Sequence, residues 1–213
     1  MKSLKTYIDE RLIINKSFKN NTIDVVSKQQ LRGIISKRLT KNPEELYLND
    51  IDVSSIKDFS DIFSSYIFSE LRKTKKIHIE EWNTENAKYM GGMFQACLEL
   101  ENVDVSNFDV SNVTDMECMF RFCKSLKKLD LTNWKVNKVK DMEKIFYYCN
   151  SLETIGDVSE WEPENLEIFD NAFNGCKVLK NVDISKWSDY LGDISSRDAF
   201  YRCPNIQVPD WAE

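Results

Sequence analysis

The sequence holds a single histidine, His78. A Cys-His or Ser-His nucleophile pair would have to use it, so catalysis of that kind has little to stand on. Glycine-rich phosphate loops are missing: Gly91-Gly92 fits none of the nucleotide-binding patterns. The six cysteines include no Cys-x-x-Cys pair, the usual nucleus of a zinc site. Long apolar runs are missing as well. Nothing approaches the ~18 residues of a membrane span. The longest run near the start is Leu12-Ile13-Ile14, short of a secretory core of roughly 7–15 residues, and no lipidation signal is visible. These absences lead us to expect a non-enzymatic chain with no metal or cofactor. They also lead us to expect it to be soluble, cytoplasmic or particle-associated, with its thiols reduced.

What is present is enough for one domain with an accessory segment: 213 residues, of which 42% are apolar and 12% aromatic. Charge is split along the chain. Residues 1–45 hold ten Lys/Arg against five Asp/Glu, a net +5, and residues 46–213 hold nineteen against thirty, a net -11. The acidic body argues against nucleic acid as its partner.

The strongest signal is a repeat. Phe followed by Cys three residues later occurs at Phe94/Cys97, Phe120/Cys123, Phe146/Cys149, Phe173/Cys176 and Phe200/Cys203, and the cysteines step by 26, 26, 27 and 27 residues. Fixed-period self-similarity predicts stacked repeats. An apolar pair ends fifteen residues before the Phe in Leu46/Leu48, Ile77/Ile79, Val103/Val105 and Leu129/Leu131, and less regularly in Ile155/Val158 and Val182/Ile184. The alternation in these pairs predicts short strands. An aromatic column follows at Trp82, Phe108, Trp134, Trp161 and Trp187. Met116 and Phe120, one helical turn apart behind Thr114 as N-cap, predict a turn or two of helix in each unit. The repeats begin near residue 46 and make about six units and a half-unit. Tyr66 stands where the first unit should have its Cys, and about five extra residues follow it.

The ends carry their own signals. Ser27 and Gln30 are spaced for a capping box on a helix that places Leu31, Ile34, Ile35 and Leu39 on one face, so residues 1–45 read as a basic helical cap over the first unit. Before it, Leu4, Ile8 and Leu12 fall at helical spacing, either packed on the cap or free to dock elsewhere. Trp211, at the position of a seventh unit's strand, is placed to lid the core.

Units of the form C-x-x-L-x-x-L-D-L-(S/T)-x-(F/W) … V-x-D-M-x-x-M-F resemble the BspA-type leucine-rich repeats of bacterial surface proteins and mycoplasma lipoproteins. Residues 123–146, "CKSLKKLDLTNWKVNKVKDMEKIF", carry the likeness best. It spans about residues 46–211 and implies an α/β leucine-rich-repeat solenoid. Such a solenoid has a parallel sheet on one face and binds macromolecules without catalysing a reaction.

Candidate interface residues are the exposed strand-face positions Tyr47, His78, Asp104, Asp130 and Asp183 and their neighbours Asn107, Asn133 and Lys186. The Asp column (with Asp157) has a second reading, in which each carboxylate caps the turn through the Ser or Thr two residues on. The repeating cysteines read as a buried thiol ladder. Cys118 stands outside the register and would be the reactive thiol if exposed. Two other functions stay open. One is an assembly component, in a phage virion or cell-surface particle, docked through Leu4, Ile8 and Leu12. The other is an acidic inhibitor of a host nucleic-acid-binding enzyme.

Overall fold

The computed structural model describes residues 22–190 and 194–212. Among them is one α-helix, α1 (Lys28–Leu39). Its start is fixed by the expected residues. Ser27 Oγ accepts from the Gln30 amide, and Gln30 Oε1 accepts from the amide of Val26, one residue earlier than in the usual reciprocal box. Leu31, Ile35 and Leu39 are buried, and Ile34 packs at the margin. Two charged clasps tie the helix to the first repeat: Lys28 to Asp58 at 2.9 Å, and Arg38 to both Asp50 oxygens at 2.5 and 2.7 Å. A strand that the sequence pattern did not announce precedes the helix. Strand β1 (Ile23–Asp24) pairs in parallel with β3 (Ile51–Asp52), so the cap is both hydrogen-bonded and packed onto the repeats.

The predicted strands appear in the first three units. Strands β2 (Glu45–Tyr47), β4 (Lys76–His78) and β5 (Asn102–Val103) form a parallel sheet in the order β2-β4-β5. Beyond β5 the pairing thins to a single bridge, Lys128 to Thr154. All six apolar pairs are buried. The irregular fifth pair has a local cause: Gly156 sits between Ile155 and Val158 at φ +84°, and a Cβ there would lie 2.7 Å from Thr132 Oγ1 and 2.8 Å from Asp130 Oδ1.

Among the described residues the helix expected around the Met and Phe of each unit is absent; the short 3-10 turns at Ser69–Lys73 and Ser185–Asp189 lie elsewhere in their units. Residues 117–122 are consecutive turns. The amides of Met116, Cys118, Phe120 and Phe122 each donate to the next unit, to the carbonyls of Asp141, Glu143, Ile145 and Tyr147, at 2.8–2.9 Å. The amides between them close local turns, such as Met119 to Met116 and Arg121 to Cys118. Left-handed residues recur in step: Cys118 and Phe122, Lys144 and Tyr148, Asp198 and Arg202. The physical reason lies in where the amides can go. A helix spends its N–H groups on itself along its own axis, whereas a stacked repeat can spend every second one on its neighbour. Met116 and Phe120 point the same way in either case, so their spacing did not discriminate. Thr114 caps nothing; its amide and hydroxyl both donate to Lys88 O. A second ladder of parallel bridges runs through this region: Asp58, Tyr89, Asp115, Asp141, Ile168 and Ser195.

Between the two ladders lies the core. Phe63, Phe94, Phe120, Phe146, Phe173 and Phe200 stack with ring centroids 5.2–5.7 Å apart. Each buried ring is worth ~1.5–3 kcal/mol in area removed from water. Trp82, Trp134 and Trp161 donate Nε1–H to Leu48, Val105 and Leu131 carbonyls of the preceding units. Trp211 extends this column, 6.1 Å from Trp187 and nearly parallel to it, as a lid. The five register cysteines are buried and unbridged. Each thiol donates to the Phe carbonyl of the unit before it, at 2.8–3.1 Å. Tyr66 does not join this column: it is exposed, and the chain leaves the register after Ser65.

Candidate interaction surface

Strand register brings Tyr47 and His78 together. They are Cα partners across β2 and β4, and parallel strands place such side chains one strand spacing apart, roughly 4.8 Å. Their rings stack at 4.2 Å and 3°. Glu45 accepts from His78 Nε2 at 2.9 Å, and Glu80 lies 3.3 Å from Nδ1. Glu80 is fixed in turn by Asn49 Nδ2 at 2.7 Å. Hydrogen bonds from His78 first and Tyr47 second hold the Glu45 carboxyl below its ordinary value. Sequence reading missed Glu45, Glu80 and Asn49. The signal available was their position, one strand step or one turn from His78, but only the register shows that they converge.

Asp104 and Asp130 line one open groove of about 580 Å³, together with Glu80, Lys128, Thr132 and Gly156. The groove lies where strand pairing thins after β5. Asn107 and Asn133 border a smaller groove of about 320 Å³ with Lys135. Asp183 stands apart, in a groove of about 570 Å³ at the C-terminal end with Asn205, Ile206 and Pro209. Lys186 is drawn to Glu160 at 2.5 Å. Among the described residues the Asp104/Asp130 and Asn107/Asn133 grooves adjoin at Ser106, while Asp183 lies in a different recess, where the sequence suggested one continuous column. Leu4, Ile8 and Leu12 lie outside the described residues.

The Asp column makes the turn-capping bonds that its spacing suggested. Asp104, Asp130, Asp157 and Asp183 accept from the amides of Ser106, Thr132, Ser159 and Ser185 at 3.0–3.2 Å. Only Oδ1 of each carboxylate is engaged, and all four residues are exposed. One carboxylate can therefore shape its turn and still present an oxygen to a partner. Backbone bonds from Ser159 and Ser185 lower Asp157 and Asp183.

Cys118 is buried, with its thiol pushed up to about 12 by burial and then by the Glu117 charge. That removes the condition under which it would be reactive. Among the described residues no three His, Cys, Asp or Glu side chains converge as metal ligands would. No helix among them is long and apolar enough to cross a membrane.

A family described as "Mycoplasma protein of unknown function, DUF285" matches residues 29–128 and 63–187. The chain belongs to this family. No curated protein matches it. The DUF285 region begins inside α1 and ends at Trp187, so it takes in nearly all of the cap helix, the strand ladder from β2 on, the second ladder as far as Ile168 and the grooves holding Asp104, Asp130, Asn107 and Asn133. The family's description assigns no activity.

Proposed function

We propose that this DUF285 chain is a leucine-rich-repeat solenoid of the BspA type and a non-enzymatic protein-interaction module. It grips a macromolecular partner through its strand-bearing face. The observation that carries this reading is the contrast between what repeats and what does not. The apolar and aromatic repeating positions are buried in continuous columns, while the strand-face column lies outside the core and changes from Tyr47 and His78 in the first two units to Asp104, Asp130, Asp157 and Asp183 in the next four. Such a face is rigid, because each Asp is tied to its turn. It carries an aromatic platform at one end and an acidic groove beside it. Rigid elements under variable side chains suit recognition, since little conformational freedom is lost on binding.

Carboxylates around the groove suit a partner with a basic segment, and such an association weakens with salt. The test is capture of partners by the immobilised chain, followed by mass spectrometry, in parallel with an Asp104→Lys/Asp130→Lys variant. The variant loses the turn-capping bonds of Asp104 and Asp130, each worth about 0.5–1.5 kcal/mol, so its melting temperature should fall by several degrees while it stays folded at the assay temperature, and it should lose the partner. Equal capture by a folded variant would remove this face from consideration.

A further inference from the structure

The turn segments carry a strip whose character opposes that of the acidic body. The two positions between Phe and Cys of the marker hold Arg121 and Phe122 in one unit and Tyr147 and Tyr148 in the next. These side chains pack against one another: Phe122 lies edge-on to Tyr147 at 5.5 Å, and Tyr147 meets Tyr148 at 4.6 Å. Arg121 lies over the Phe122 ring at 4.6 Å. Two units on, Arg202 donates to Tyr148 Oη at 3.2 Å. Tyr148 can reach it because Gly175 stands in between; a Cβ there would press on the tyrosine ring at 3.1 Å. A shelf of half-buried rings therefore runs between two arginines.

The charge on this shelf is unspent. Among the described residues neither arginine nor Lys124 forms an ion pair; Glu143, near Arg121, is taken up by Lys144. Arg121 Nε is buried with no acceptor. Guanidinium forks held on ring faces lose little freedom on binding and match a carboxylate in two parallel bonds. Tyr and Arg held in this way are the residue types that dominate interface energetics. Polyanions are disfavoured, since their affinity grows with the number of cationic contacts and the body from residue 46 on carries a net -11.

We propose that this strip is a second protein-binding surface, separate from the strand face. It takes an acidic peptide segment in which a carboxylate stands beside an apolar or aromatic side chain. The carboxylate pairs with Arg121 or Arg202, and the apolar neighbour lies on the Phe122–Tyr148 shelf.

The test is selection of short random peptides displayed on phage against the full chain, with counter-selection on an R121Q/R202Q variant. Recovered peptides are then made synthetically, and their affinities measured by fluorescence anisotropy. The expected result is enrichment of Asp or Glu next to an apolar residue. Affinity should fall about tenfold or more, both in the double variant and when the peptide's acids become amides. If the half-buried Arg121 change lowers melting, R202E alone, at an exposed position, must still weaken binding. No enrichment over the counter-selected pool would overturn the proposal. So would acid-free winners, or displacement of the peptide by oligothymidine.

Discussion

At the residue scale, single side chains do two jobs, and the sequence shows only one of them at a time. The Phe, Trp and Cys columns were legible because burial forces the same residue type to return at every unit. What the sequence could not show is that the five register cysteine thiols and three of the tryptophan N–H groups bond a carbonyl of the preceding unit. Phe120→Ala, in the middle of the ring stack, should cost about 3–5 kcal/mol, read as loss of unfolding midpoint in urea. The thiols of Cys97, Cys118, Cys123, Cys149 and Cys176 should be inert to a thiol-specific reagent until the chain unfolds, whereas Cys203, lowered by its hydrogen bond with Cys176, should react first. Burial keeps Cys149 at about 12, and Cys118 is equally raised. Asp141 gives a prediction of opposite sign. Burial first, then the charges of Glu117, Asp115 and Glu143, raise its carboxyl. Its ionised form is therefore disfavoured in the fold. Asp141→Asn keeps an oxygen for the Glu143 amide and should raise Tm at pH 7 by ~2 °C. That gain should shrink as pH falls through the raised value, because the wild-type carboxyl then takes up its proton.

Elements were legible to different depths. The cap helix came with its start and its buried face, because capping chemistry and 3.6-residue periodicity act over a few neighbouring residues. The strand before it was not legible: two residues, Ile23–Asp24, carry no period, and only β3 gives them a partner. The helix expected in each unit failed for a deeper reason. A spacing of four residues places two side chains on one side whether the backbone between them is a helix or a pair of turns. The hydrogen-bond partners that decide between the two lie 25 residues away, as Asp141 does from Met116. At the cap, Arg38 holds Asp50 below its ordinary value. Stability from this clasp is present above the unfolded carboxyl value and is lost as pH falls through the lower folded one. Asp50→Asn should weaken the cap at pH 7 and remove that acid-dependent loss, visible as faster amide exchange in 28–39. Gly156→Ala should cost about 1–2 kcal/mol, since the left-handed backbone and the contacts with Thr132 and Asp130 both oppose a side chain.

On the scale of the whole molecule, the period announced stacked units, and the composition disfavoured an enzyme or a membrane span. Neither could show which polar residues share a recess. Asp104 and Asp130 meet in one groove, whereas Asp183 lies in another. The proposed recognition role rests on that face. Hydrogen–deuterium exchange of the chain with and without its captured partner tests it most directly. The account predicts slowed exchange at 45–48, 76–80, 102–107 and 128–133, with the turn ladder unchanged. Protection that spares those four segments and falls instead on residues 1–21 would contradict it.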